Sequence, residues 1–118
     1  MAHQLPRTVQ TILIGAAQII RTRGWCRGTL LDERGAVCLL SAIYVASTSK
    51  PAAAFYGERD HDELTCAAWE VVENLINARY GRHEEGRMTI PGWNDQPARS
   101  VEDIFRILDD AAAITRLG

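Results

Sequence analysis

Apolar residues recur at helical spacing in four stretches of this chain, separated by segments rich in polar residues, glycine and proline. Across residues 7–23, Val9, Ile12, Leu13, Ala16 and Ile20 share one face. Pro6 suits the first turn, where a missing N–H costs nothing. Gly24 suits the end, and Trp25 is expected to fold back on Ile20. Arg21 and Arg23 favour the negative end of the helix dipole. The second stretch, "VCLLSAIYVA" over residues 37–46, is apolar on nearly every side, the pattern of a buried central helix. Its short length leaves a strand open as an alternative on periodicity alone.

Residues 61–80 carry a third helical stripe of Leu64, Ala68, Val71, Val72 and Leu75, flanked by Trp69 and Ile76. Asp60 is expected as its N-cap, with Glu63 completing a capping box, and Gly81 as its end. The fourth helix is expected over residues 100–116, capped by Ser100 and led by Glu102 and Asp103. Val101, Ile104, Phe105, Leu108 and Ala112 form its core face, and Gly118 is frayed.

Between these elements, Asp32-Glu33-Arg34-Gly35 reads as a turn, with Gly35 supplying a positive φ. Residues 29–31 and 36–37 either pair across it as a short hairpin or run as plain loop. Lys50-Pro51 and Gly57 break the connection over residues 47–60. Residues 82–99 form a polar connection about as long as loops reach without a purpose. The expected fold is mainly α: one domain over residues 1–118, a compact bundle of about four helices, with one long ordered loop.

At 118 residues and 47% hydrophobic content, such a chain buries a core without disulfides or metal. Its three cysteines, Cys26, Cys38 and Cys66, form no disulfide framework and fit a reducing cytoplasm. Gln10, Thr11 and Gln18 interrupt the apolar run after Arg7, which argues against a signal segment. No run approaches the roughly 18 apolar residues of a membrane span. Net charge is −2, against the basic face that nucleic-acid binding requires. The cluster of Arg21, Arg23 and Arg27 is the only feature in favour of it.

The segment "GWNDQPARSVED", residues 92–103, concentrates the most suggestive chemistry. Trp93 can anchor it, Asn94 and Asp95 favour turns, Pro97 stiffens it, and Arg99 stands four residues past Asp95, within reach of a carboxylate–guanidinium fork. The segment reads first as a latch that sets the angle of the last helix. Trp93, Asn94, Asp95 and Arg99 are also candidates to line a partner- or ligand-binding surface, because loops carry function disproportionately. Asp60, Asp62 and Glu63 around His61 are weak metal candidates, read first as a negatively charged helix start. Cys26, Cys38, His61 and Cys66 match no zinc-ligand spacing. His61 and Cys66, five apart on one expected helix, face differently and make no dyad. No serine lies in a nucleophile elbow, and no glycine-rich phosphate cradle is present. No cofactor and no catalytic residue is assigned.

The fragments "RGWCRG", "GAVCLLSAI", "WND" with the following proline and "RS", and "VEDIFRILDDAAAI" resemble a family of small, functionally uncharacterised proteins of actinobacteria and their phages. Gly24, Trp25, Gly35, Cys38, Leu39, Ala42, Trp93, Asn94, Asp95, Pro97, Arg99 and Ser100 fall on its pattern, and Ser41 departs from a usual glycine. The resemblance implies a compact helical domain of phage or mobile-element background and brings no activity.

The expected function is a small cytoplasmic accessory module that binds a partner protein or itself, since no catalytic constellation survives and tryptophan and arginine dominate interface hot spots. The alternative is a small-molecule- or metal-binding domain, at most a weak enzyme, using Asp60–Glu63 and the loop from Trp93 to Arg99.

Overall fold

In the computed structural model, which describes residues 7–81 and 86–115, the four expected helices form and two short helical segments join them. The order is α1 (Val9–Arg23), α2 (Leu39–Thr48), a 3-10 turn (Ala52–Gly57), α3 (Glu63–Tyr80), α4 (Ile90–Asn94) and α5 (Val101–Thr115). The described residues contain no strand. Val37 instead makes two isolated bridges, parallel to Trp25 and antiparallel to Leu31, so the optional hairpin is reduced to the single Leu31–Val37 bridge, flanked by backbone bonds from Asp32 N–H to Ala36 O and from Cys38 N–H to Leu30 O.

Thr8 caps α1 through a reciprocal box with Thr11, so the helix begins two residues later than the pattern suggested. Ile12, Leu13, Ala16, Ala17 and Ile20 are its buried face. Its interhelical contacts are mainly with α2 and α5. It runs antiparallel to α5, because Gln10 Nε2 donates to the Ala112 carbonyl and the Arg21 guanidinium lies 4.8 Å from the Phe105 ring centroid at the other end. Gly15 faces Ala46 of α2, where a Cβ would stand in close contact, 3.4 Å from that of Ala46.

The central place expected for "VCLLSAIYVA" is confirmed, as a helix. Leu39, Ser41, Ala42, Ile43, Tyr44, Val45 and Ser47 are all buried. Its start is shifted by two residues for a backbone reason. The Val37 N–H donates to Gly24 O and its carbonyl accepts from Cys26 N–H, so Val37 is held by the loop before α2 and cannot join the helix. Ser41 supplies hydrogen bonds that glycine would lack: its hydroxyl donates to Leu30 O at 2.5 Å and accepts from the Cys38 N–H at 3.2 Å.

Asp62, not Asp60, caps α3, its Oδ1 accepting from Thr65 N–H at 2.8 Å. The expected box of Asp60 and Glu63 fails because the chain turns His61 inward before the helix starts. The core line of α3 is Thr65, Ala68, Val72 and Ile76, which promotes Ile76 from the flank of the stripe to full burial. Ser100 and Asp103 make the box that starts α5: Ser100 N–H donates to Asp103 Oδ2 at 3.0 Å and Asp103 N–H to Ser100 Oγ at 3.3 Å. Ile104, Ile107, Leu108, Ala111 and Ala112 form its buried face. The expected end at Arg116 and the frayed Gly118 lie outside the described residues.

Candidate functional site

The long polar connection, expected as loop, contains α4. Thr89 Oγ1 accepts from Gly92 N–H at 3.1 Å, and Pro91 stands in the first turn, where it needs no N–H partner. Asn77 fixes the approach to α4 with two 2.8 Å bonds: its Nδ2 donates to Met88 O and its Oδ1 accepts from Met88 N–H.

The short helix presses Trp93 into the core, where its exposure is 0%. Arg99 closes over it. The guanidinium carbon is 4.1 Å from the Trp93 ring centroid and 4.7 Å from that of Tyr80. Arg99 Nε donates to Trp93 O at 3.1 Å, its other nitrogens reach Gln96 Oε1 and, at 3.5 Å, Asp103 Oδ2. The fork expected between Arg99 and Asp95 does not form. The chain between them is not helical, and Arg99 turns instead toward α5.

Asn94 is also fully buried, and it uses every hydrogen-bonding position of its amide. Oδ1 accepts from Trp25 Nε1 at 2.7 Å and from Leu39 N–H at 3.0 Å. Nδ2 donates to Cys26 O at 3.1 Å and to Asp95 Oδ1 at 2.9 Å. Asp95 Oδ1 also accepts from Gly28 N–H at 2.9 Å. One amide thus joins α4, the loop after α1 and the N-terminus of α2. Gly24 makes that loop possible: its φ of 93° with ψ of 167° is backbone that essentially only glycine adopts. Gly24 thus ends α1, as expected, but in this conformation and not in the left-handed helical one common at glycine helix ends. Gly35, at φ 89°, has the positive φ expected of the turn, which Asp32 closes through bonds to Arg34 N–H and Ala36 N–H.

Of the four residues nominated from the sequence, Trp93, Asn94 and Arg99 therefore face inward, and only Asp95 is exposed. What they hold in place is the outer side of α4, between two open grooves. The larger, about 570 Å³, lies between α3 and α4, with Trp69, Glu70, Glu73, Asn74, Arg87 and Pro91 among its walls. The smaller, about 310 Å³, is lined by Thr29, Leu30, Cys38, Tyr56, Pro91 and Asp95 among others. Pro91 belongs to both. Tyr56, in the wall of the smaller groove, is 65% exposed.

Behind the larger groove stands an aromatic box. His61 stacks on Phe55 at 5.0 Å and meets Trp69 and Tyr44 edgewise at 4.8 and 5.7 Å. Its Nδ1 is buried and 3.7 Å from Glu58 Oε2. Glu58 also accepts from Tyr44 Oη at 2.6 Å and Lys50 Nζ at 2.7 Å. Lys50, then Tyr44, hold its carboxyl below the usual range. Trp69 Nε1 donates to Leu40 O at 3.1 Å, which fixes the indole between box and groove.

The weak metal candidates are not assembled into a site. Asp62 caps α3 and pairs with Arg7 at 2.8 Å, while Asp60 and Glu63 are exposed. Among the described residues, no three or more His, Cys, Asp or Glu side chains are grouped to hold a metal ion. Cys26 and Cys38 share a small buried cluster, and Cys66 is exposed on α3. Burial, then neighbouring Cys38 and Asp32, pushes the Cys26 thiol up to about 11, so it is a packing group at neutral pH. Arg27, from the arginine cluster, lies 4.7 Å over the Trp25 ring.

Trp69, at the flank of the α3 stripe, and Arg87 and Asp95, in the long polar connection, are the groove residues with a local signal in the sequence; the others come together from separate segments and share no local pattern. The fold and its joints define a small all-α domain closed by a buried hydrogen-bond clasp. The chain belongs to DUF6197, a family of unknown function, whose model matches residues 4–114. No curated protein and no solved structure matches it. No helix among the described residues is long and apolar enough to cross a membrane.

Proposed function

We propose that this domain is a small interaction module that binds a partner protein across the outer side of α4. The observation that carries the reading is the convergence of two open grooves on Pro91, above a latch of buried Trp93, Asn94 and Arg99. A rigid element between concave surfaces suits a docking face, and the exposed Tyr56 and Asp95 supply an aromatic and a charge at its edge. In this reading Asp95 touches the partner, while Trp93, Asn94 and Arg99 position the surface from beneath. Buried free thiols suit a reducing cytoplasm, and the sequence resemblance suits a phage or mobile-element accessory protein.

The test is capture from native lysate with quantitative mass spectrometry, using the wild-type chain, Tyr56→Glu and Glu70→Arg as baits. A protein enriched by the wild type and lost from a surface variant with unchanged melting temperature supports the reading. An enriched set identical across the three baits overturns it.

A second reading is a small-molecule site in the larger groove, whose volume falls within the ~300–1,000 Å³ of ligand pockets. A ligand at 100 times its Kd would stabilise the fold by about 2.7 kcal/mol, which a thermal-shift panel detects.

A further inference from the structure

We infer that the larger groove receives an arginine side chain from the partner, seated between Glu70 and the Trp69 indole, in the manner in which the chain's own Arg87 now sits against Glu73 and Asn74. This deepens the module reading and rests on it.

Among the described residues, the groove's charged walls are two carboxylates, Glu70 and Glu73, and one guanidinium, Arg87. Arg87 Nη2 donates to Asn74 Oδ1 at 2.8 Å and lies 3.6 Å from Glu73 Oε2. It demonstrates that the α3 wall accepts a planar cation through a carboxylate and an amide together. Glu70, one turn earlier on the same wall, has no hydrogen-bond or ion-pair partner among the described residues. Beside it stands an indole that cannot turn away: Trp69 is tied to Leu40 O and packed against His61 and Phe55. A carboxylate and a fixed indole lining one groove, as Glu70 and Trp69 do, offer a guanidinium both an ion-pair acceptor and an aromatic surface. Across Pro91, the smaller groove adds another carboxylate, Asp95, and no cation among the described residues. The described side chains along both grooves therefore carry net negative charge, and a basic segment fits them where an acidic one is repelled.

Arg87 competes with the guest for the same wall. Its side chain is 60% exposed, and an exposed ion pair holds it weakly. Removing it frees Glu73 for the incoming cation.

The experiment is an amide-NMR titration of the isotope-labelled chain with a seven-residue Gly-Gly-Arg-Ala-Arg-Gly-Gly peptide and with its citrulline counterpart, which keeps shape and loses charge. The arginine peptide is expected to shift Trp69, Glu70, Asn74 and Arg87, and the citrulline peptide to leave them in place. Glu70→Lys is expected to weaken binding by about tenfold or more, the loss of a charge-assisted contact. Arg87→Ala is expected to tighten it. Equal shifts with citrulline, shifts spread over other acidic surfaces, or weakening by Arg87→Ala would each overturn the inference. If the peptide fails while a captured partner still depends on Tyr56, the guest is not arginine and the module reading stands. If neither binds, both fall.

Discussion

The indole N–H of Trp25 donates to Asn94 Oδ1 at 2.7 Å across 69 residues of sequence. The same oxygen takes the Leu39 N–H at the start of α2. The loop after α1 and the central helix are therefore fastened to α4 by one atom. Asn94→Ala would orphan the Trp25 and Leu39 donors and the Cys26 carbonyl in buried surroundings, at about 1–3 kcal/mol for each group left unpaired. Asn94→Asp keeps the accepting oxygen but sets a second one against Cys26 O and the Asp95 carboxylate. Both variants should lose several kcal/mol in urea unfolding. A loss below 1 kcal/mol for Asn94→Ala would show that the clasp is dispensable.

Arg99 covers Trp93 as a planar lid. Trp93→Ala removes a fully buried indole and should cost about 3–5 kcal/mol. Arg99→Lys keeps the charge and loses both the two-ring stack and the Nε bond to Trp93 O, so it should cost about 1–2 kcal/mol despite its conservative look. Thermal melts followed by circular dichroism check both. An Arg99→Lys variant as stable as wild type would reduce the stack to simple packing.

Asp62 gives the fold an acid-sensitive joint. Its carboxyl lies at about 2, below its ordinary value of 3.8, held there first by the Thr65 backbone N–H, then by the Thr65 hydroxyl and Arg7. A lowered folded-state pKa contributes stability that is complete above about pH 4 and is lost as pH falls through about 2. Asp62→Ala should cost about 1 kcal/mol at neutral pH, the usual loss of an N-cap. The difference in stability between wild type and Asp62→Asn should shrink between pH 4 and 2. A difference that stays constant over that window would dissociate the cap from the carboxylate's charge.

The thiols should separate into two classes. Cys66 is exposed, whereas Cys26 and Cys38 are buried, and Cys26 is held up to about 11. In native protein at pH 8, a disulfide-exchange reagent should modify Cys66 rapidly and reach the other two only in denaturant. Fast modification of Cys26 or Cys38 would mean that the loop beneath α4 opens far more readily than the clasp allows.

Helix positions were legible because apolar spacing is a local property. The faces led by Ile12, Val72 and Ile104 follow directly from it. What was illegible depends on contacts between distant segments. Val37 looks helical in sequence, but its backbone is bonded to Gly24 and Cys26. The Asp60 cap is plausible by spacing and is displaced because His61 packs into three aromatic rings. α4 is too short for periodicity, and its Pro91 and Gly92 read as loop. Trp93 could be recognised as an anchor from size alone. The role of Asn94 could not, since its partners Leu39 and Cys26 lie 55 and 68 residues away.

The three tryptophans stand at three different joints, and each therefore senses a different event by its emission. Trp93, fully enclosed with an unbonded N–H, should emit at the shortest wavelength and redden only when the core opens. Trp25 follows the clasp and Trp69 the groove. Chains keeping one indole, with phenylalanine at the other two positions, would let the order in which the domain comes apart be read as a sequence of colours.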